Sequence, residues 1–96
     1  MSWYRCTLTP AQVVTGEAQR RTRAFAEAFA AAGAPRVMAL FQQDRADGGL
    51  DFYLTPDCGE FAAELLDEWM SVPCERPPTA GLVFLVCHNE ITYYLP

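Results

Sequence analysis

The N-terminal segment, residues 3–9, alternates between apolar and polar side chains. A period of two is typical of a strand that buries one face. The side chains predicted to point towards the core are Tyr4, Cys6 and Leu8. Thr9 and Pro10 follow, and this pair predicts a helix N-terminus, with Gln12 completing a possible capping box.

The first predicted helix extends to about Ala32, and Gly33 ends it. Its apolar side chains recur at helical spacing and form one stripe. The members of this stripe are Val14, Ala18, Phe25 and Phe29. Because Gly16 weakens the early part, an alternative is a helix that begins after Thr15, with residues 10–14 as a lead-in turn.

The rest of the chain predicts four more strands and one more helix. The predicted strands are residues 36–44, 50–56, 82–87 and 91–96, and the predicted helix is residues 57–71. Asp-Gly-Gly in the turn at residues 45–49 favours a hairpin between the second and third strands. The proline-rich residues 73–81 predict a loop.

This order of elements predicts one α+β domain that spans residues 1–96. Thr55-Pro56 repeats Thr9-Pro10, so the chain has two equivalent strand–helix joints. Two such halves are typical of a ferredoxin-like sandwich (βαββαβ), with two helices on one face of an antiparallel sheet in the order 4-1-3-2. A fifth, C-terminal strand is expected beside the fourth. The third strand is expected to lie next to the first and parallel to it.

Charge excludes some partners. The chain has no lysine, and its twelve acidic residues and seven arginines give a net charge of −5. An acidic surface argues against nucleic acids and anionic membranes, whereas a basic protein partner is compatible with it. The longest uninterrupted apolar run, residues 82–87, is too short to span a bilayer. We therefore expect a soluble, cytoplasmic protein.

Four cysteines and one histidine are the only candidates for nucleophilic or metal chemistry. The cysteines are Cys6, Cys58, Cys74 and Cys87, and they form no CxxC pair. This spacing predicts reduced structural thiols, with no metal site and no cofactor.

Cys58 lies in the first turn of the second predicted helix, where the partial positive charge favours a thiolate. Its neighbours Asp57 and Glu60 oppose that effect, and His88 is the only possible base. A parallel third strand would put Cys58 and His88 at opposite ends of the sheet. We therefore predict a structural Cys58, a solvated His88 and no catalytic residue.

The face of the sheet that no helix covers, here called the open face, is the main candidate site. The alternation places five side chains on it, which are Trp3, Arg5, Thr7, Asp51 and Tyr53. Asp51 is equivalent to Arg5 when the two Thr-Pro pairs are aligned, so these residues are expected to pair. No segment of the chain is left to cover this aromatic and aliphatic patch, which favours either a homodimer interface or a ligand site.

Two charged helix faces complete the set of candidates. The outer face of the second helix is acidic and could bind a basic protein, although a solvated face is the commoner case. Its residues are Glu60, Glu64, Asp67 and Glu68. On the first helix, the arginines are expected to form the i,i+4 pairs Glu17–Arg21 and Arg23–Glu27.

The leading functional hypothesis is a non-enzymatic, dimeric protein-interaction domain. The alternative is a small-molecule binding module or a cofactor-free enzyme, with its site on the open face. The sequence contains no glycine-rich phosphate loop and no set of metal ligands, which favours the first hypothesis.

Overall fold

Six strands form one antiparallel sheet, and three α-helices pack against one of its faces. The computed structural model describes residues 2–33, 37–77 and 79–94. The strands are β1 (Trp3–Leu8), β2 (Met38–Asp44), β3 (Leu50–Leu54), β4 (Val72–Cys74), β5 (Gly81–Cys87) and β6 (Glu90–Tyr93). The helices are α1 (Pro10–Val14), α2 (Glu17–Ala32) and α3 (Gly59–Glu68), and a 3₁₀ helix, Pro56–Cys58, precedes α3.

The N-terminal helical region is two helices because Gly16 interrupts it. Thr9 caps α1 through the predicted capping box: its Oγ1 accepts a hydrogen bond from the Gln12 N–H at 3.2 Å, and its own N–H donates to Gln12 Oε1 at 2.8 Å. Gly16 then adopts φ +81°, a left-handed conformation that glycine tolerates. The chain therefore turns, and α2 begins at Glu17. The prediction of one continuous helix is therefore wrong, and the break lies after Thr15, as in the alternative prediction.

β4 is the strand that the sequence did not predict. It follows directly after the predicted helix and extends into the predicted loop, and it pairs antiparallel with β1, Trp3 opposite Cys74 and Arg5 opposite Val72. Consequently β5 does not pair with β1 but with β2, Met38 opposite Val86. The sheet order is β4-β1-β3-β2-β5-β6.

The predicted ferredoxin-like sandwich is therefore wrong. Instead of five strands and two helices, the α+β fold has a six-stranded antiparallel sheet and three α-helices. β1 and β3 are also antiparallel rather than parallel, with Leu8 opposite Leu50. Residue 36, where the second strand was predicted to start, and residues 95–96, where the last was predicted to end, lie outside the described residues.

The core lies between the helices and the sheet. Alternation in β1 and β3 holds, because Cys6, Leu8, Phe52 and Leu54 are fully buried. Aromatic rings join the layers. The contacts are Phe25 with Phe29 and Trp69, and Phe84 with Phe29 and Tyr93, at centroid distances of 5.1 to 6.2 Å.

α3 ends in a left-handed turn at Met70. The Met70 N–H donates to the Asp67 carbonyl at 3.2 Å, and the Ser71 N–H donates to the Leu66 carbonyl at 2.8 Å. This pattern normally has glycine at the left-handed position, but Met70 has φ +54°. Its side chain is 85% exposed, so little packing offsets the strain.

We predict that Met70→Gly raises the free energy of unfolding by about 1 kcal/mol, because glycine removes the left-handed strain and little packing is lost. Met70→Ala is the matched control, since it removes the same side chain but keeps the Cβ that causes the strain. Urea denaturation of both variants measures the difference. Equal stability of the two variants would contradict this assignment of the strain.

Candidate functional site

The open face carries the five side chains predicted for it. In the antiparallel register of β1 and β3, Arg5 lies opposite Tyr53 and Thr7 opposite Asp51. Directly opposed residues point to the same face of a sheet, and so does Trp3, two residues from Arg5. Alternate residues of a strand lie on the same face whether the neighbouring strand is parallel or antiparallel. The wrong direction predicted for β3 therefore did not change which five residues lie on the open face.

Asp51 does not pair with Arg5 as expected. Its Oδ1 accepts a hydrogen bond from Thr7 Oγ1 at 2.6 Å, and its Oδ2 lies 3.0 Å from Nη1 of Arg45. Arg45 reaches Asp51 from the turn between β2 and β3, and it also lies 3.7 Å from Asp47. Asp51 is only 7% exposed, so its charge is neutralised within the chain rather than offered to a ligand.

The chain itself covers part of the open face. β4 lies on one side of β1 and β5 lies beyond β2, so three strands separate β4 from β5 in the sheet. Just after β4, the Arg76 guanidinium carbon lies 5.9 Å from the centroid of the Trp3 ring. Trp3 also contacts Phe41, at 5.6 Å between centroids. The premise that nothing covers this patch is therefore wrong, and a dimer through the open face stays a prediction.

The acidic surface of α3 lies in solvent. All four of its predicted residues, Glu60, Glu64, Asp67 and Glu68, are exposed. None of these four has an ion pair within the described parts of the chain. Binding of a basic protein to this surface stays a prediction.

The arginines of α2 differ sharply in burial. Glu17 binds Arg20 and Arg21, and the hydrogen bond from Arg20 is the main cause that lowers the pKa of Glu17. Arg21 is only 5% exposed; its Nη1 lies 2.9 Å from Cys6 Sγ, and its guanidinium stacks on Trp69 at 5.1 Å. The predicted Glu17–Arg21 pair is thus present. The predicted Arg23–Glu27 pair does not occur among the described contacts.

Cys58 is fully buried, and all four cysteines are free thiols. Burial raises the pKa of Cys58 to about 12, and the negative charge of Asp57 also raises it. Burial likewise raises the pKa of Cys74, and the charge of Arg5 partly opposes this increase. Thiolate chemistry at Cys58 is therefore strongly disfavoured near neutral pH.

His88 does not contact Cys58, but the two residues do not lie at opposite ends of the sheet as predicted. Because β3 and β5 run in the same direction, both residues leave the sheet at the same end. Strand β2 separates them, which corresponds to roughly 10 Å across the sheet. His88 is exposed in a turn with φ +53°, whereas Cys58 is buried beneath the helices.

A concave site lies on the other face, between the helices and the sheet. This groove, here called the helix–sheet groove, has a volume of about 690 Å³. It is lined by Val13, Ala18, Gln19, Thr22 and Arg23 from the helical layer and by Gln42, Asp44, Arg45, Gly48, Gly49, Leu50, Val83 and Tyr93 from the sheet. Sequence reasoning missed it, because it depends on β5 lying beside β2.

The floor of the groove is apolar and its rim is polar. Leu50 and Val83, each 5% exposed, belong to the core. A bulge in the pairing of β2 with β5 occurs beside Val83, and it places Val83 on the helix side next to Phe84. On the rim, Arg23 has no ion pair or hydrogen bond among the described contacts.

Other kinds of site find little support in the described residues. Within residues 2–33, 37–77 and 79–94, no three His, Cys, Asp or Glu side chains lie close enough to hold a metal ion. None of the helices in these ranges combines the length and apolar character needed to cross a membrane.

Comparison with known proteins adds no functional information. No family model, no curated protein sequence and no solved structure matches this chain.

The partner of Asp51 can be tested by comparing two arginines. We predict that Arg45→Ala lowers the free energy of unfolding by about 1 kcal/mol, because it leaves a buried carboxylate without its cation; the partial exposure of Arg45 limits the effect. Arg5→Ala is the control and should change stability by less than about 0.5 kcal/mol. Chemical denaturation measures both. A larger loss for Arg5→Ala would mean that Asp51 pairs as the sequence suggested.

The raised pKa of Cys58 predicts a loss of stability at alkaline pH. Its ordinary pKa is 9.0, so the unfolded chain releases the thiol proton first as the pH rises. The thiol's contribution is complete below pH 9 and is lost between pH 9 and about 12, with about 1 kcal/mol lost between pH 9 and pH 10. Urea denaturation at both pH values should show this loss in the wild type and less of it in Cys58→Ala. Equal pH dependence in the two proteins would show that Cys58 does not retain its proton on folding.

Proposed function

We propose that this protein is a non-enzymatic binding module that holds a small amphipathic molecule in the helix–sheet groove. The ligand would have an apolar body and one anionic group. The observation that carries the proposal is the combination of an apolar floor with an arginine, Arg23, that has no partner among the described contacts.

The volume of the groove fits this class of ligand. Small-molecule sites commonly enclose roughly 300–1,000 Å³, with apolar walls and a few polar groups that fix orientation. Here the floor of Leu50 and Val83 would hold the apolar body, while Tyr93 and Val13 would contact its sides. Burial of apolar ligand surface would supply most of the affinity.

The rim charges favour an anionic group near α2. Arg45 is already bound to Asp51 and Asp47, which leaves Arg23 as the available cation of the lining. Asp44, on the opposite rim, would repel an anion there and so orient the ligand with its charge towards Arg23. The same Asp44 could accept a hydrogen bond from a hydroxyl or amino group of the ligand.

Binding, rather than catalysis, is the activity that these side chains support. The lining residues include neither cysteine nor histidine, the usual nucleophile and general base. Cys58 is buried outside the groove with its pKa raised to about 12. This proposal keeps the small-molecule alternative of the sequence analysis but moves its site from the open face to the opposite one. Four free thiols are compatible with the reducing cytoplasm.

Two fluorescent probes test the groove. 8-Anilinonaphthalene-1-sulfonate has an aromatic body and a sulfonate, and N-phenyl-1-naphthylamine has a similar body without the charge. We expect Ala18→Leu, which fills part of the groove, to lower the affinity for both probes. Arg23→Gln should lower only the affinity for the sulfonate probe, about threefold to tenfold, because it removes one charge contact.

Arg20→Gln is the matched control, since it removes an arginine of the same helix outside the groove. Its sulfonate affinity should stay close to that of the wild type, measured by fluorescence titration below the melting temperature of every variant. Equal weakening by Arg20→Gln and Arg23→Gln, or unchanged binding of both probes to Ala18→Leu, would contradict the proposal.

A further inference from the structure

We infer that β6 is a self-association edge, on which β6 of a second copy pairs antiparallel with Thr92 next to Thr92 at the twofold axis. This interface differs from the open-face dimer expected from the sequence, and it does not depend on ligand binding in the groove. Backbone groups of β6 that have no partner among the described residues would form this interface.

The two edges of the sheet are protected differently. β4 has only three residues and contains Pro73, which lacks an N–H and so blunts that edge. β6 has strand pairing only with β5 among the described residues. Residues 90–94 contain neither proline nor lysine, the residues that commonly protect an edge.

The hydrogen bonds to β5 determine which groups of β6 point outwards. The Tyr94 N–H donates to the Val83 carbonyl at 2.8 Å, so Tyr94 faces β5. Backbone groups alternate in direction along an antiparallel strand, and Thr92 therefore also faces β5. Ile91 and Tyr93 then direct their N–H and carbonyl groups away from β5, and these four groups have no hydrogen-bond partner among the described residues.

One register of two β6 strands satisfies all of these groups. With Thr92 on the axis, Ile91 of each copy lies opposite Tyr93 of the other, and each such pair exchanges two hydrogen bonds. The dimer would therefore gain four. With Ile91 or Tyr93 on the axis instead, only one self-opposed pair forms within β6, and half of the outward groups remain unpaired.

Side chains favour the same register. Ile91 and Tyr93 lie on the helix side, where an aromatic ring beside a β-branched side chain is a favourable cross-strand pair. Tyr93 is 53% exposed in one copy, so it has surface to bury. Glu90 would lie opposite Tyr94 rather than opposite another carboxylate, so no like charges meet despite the net charge of −5.

The dimer would also complete one wall of the helix–sheet groove. Tyr93 lines that groove, and Ile91 of the partner subunit would lie beside it. The kind of partner that this edge fits is thus a second copy of the chain, because the match between Ile91 and Tyr93 is self-complementary only under twofold symmetry.

Disulfide trapping tests the register. In the proposed register the two Thr92 residues lie opposite each other and share no hydrogen bonds. The Cα atoms of such a pair are about 4.5 Å apart, within the range that a disulfide bridges. Thr92→Cys should therefore form a covalent dimer under mild oxidation, seen on a non-reducing gel. Glu90→Cys is the control, because its two copies would lie roughly 13 Å apart. The wild type reports any background from the native cysteines.

Sedimentation velocity tests the interface without a cross-link. Thr92→Lys would place two lysines against each other at the axis and should raise the dimer dissociation constant at least tenfold. Glu90→Lys makes a larger change in charge two residues away, opposite Tyr94, and should change that constant by less than about threefold.

Three results would overturn the inference. The first is a wild type that sediments as a 10.7 kDa monomer at 200 μM. The second is equal cross-linking of the two cysteine variants. The third is a dimer that survives Thr92→Lys but is lost in Trp3→Ala, which would assign association to the open face.

Discussion

Antiparallel pairing of β5 with β2 is the interaction on which the other surfaces of this molecule depend. It joins the β5–β6 hairpin to the sheet on the side of β2, opposite the edge where β4 pairs with β1. The sheet thereby becomes six strands wide, and α1, α2 and α3 leave an uncovered groove over its helix side. The same pairing places three strands between β4 and β5 and leaves β6 as an edge of the sheet among the described residues.

Two carboxylates close to the sheet are bound by other side chains of the same chain. Asp51, nearly buried on the open face, is bound by Thr7 and Arg45, and Glu17 is bound by Arg20 and Arg21. Burial, in turn, makes Cys58 a poor nucleophile. Arg23, in the groove lining, has no partner among the described contacts, and the proposed ligand class depends on it. The proposed binding function therefore depends on Arg23 and on the apolar floor of the groove, and not on a catalytic group.

Sequence patterns were sufficient where one residue or one period determines the local structure. Alternation in residues 3–9 and 50–54 predicted the face of every open-face candidate, and Thr9 with Pro10 and Gln12 predicted the start of α1. Pairing partners could not be predicted, because the apolar residues 82–87 fit beside either β1 or β2. β4 was missed because three residues around Pro73 have no measurable period. Arg45 was not recognised as the partner of Asp51, because a turn residue gives no indication of where its side chain reaches.

The pairing of β5 with β2 can be measured directly by nuclear Overhauser contacts between backbone Hα protons. Ala39 and Leu85 face each other in this register. The Ala39 N–H donates to Thr55 Oγ1, and the Ala39 carbonyl accepts from the Thr55 N–H, so both backbone groups of Ala39 point away from β5. Ala39 and Leu85 therefore share no hydrogen bond, and in such an opposed pair the two Hα protons are close together. We predict a strong Hα–Hα contact between Ala39 and Leu85. Its absence, together with a contact from Leu85 to a residue of β1, would contradict the sheet order and with it the groove.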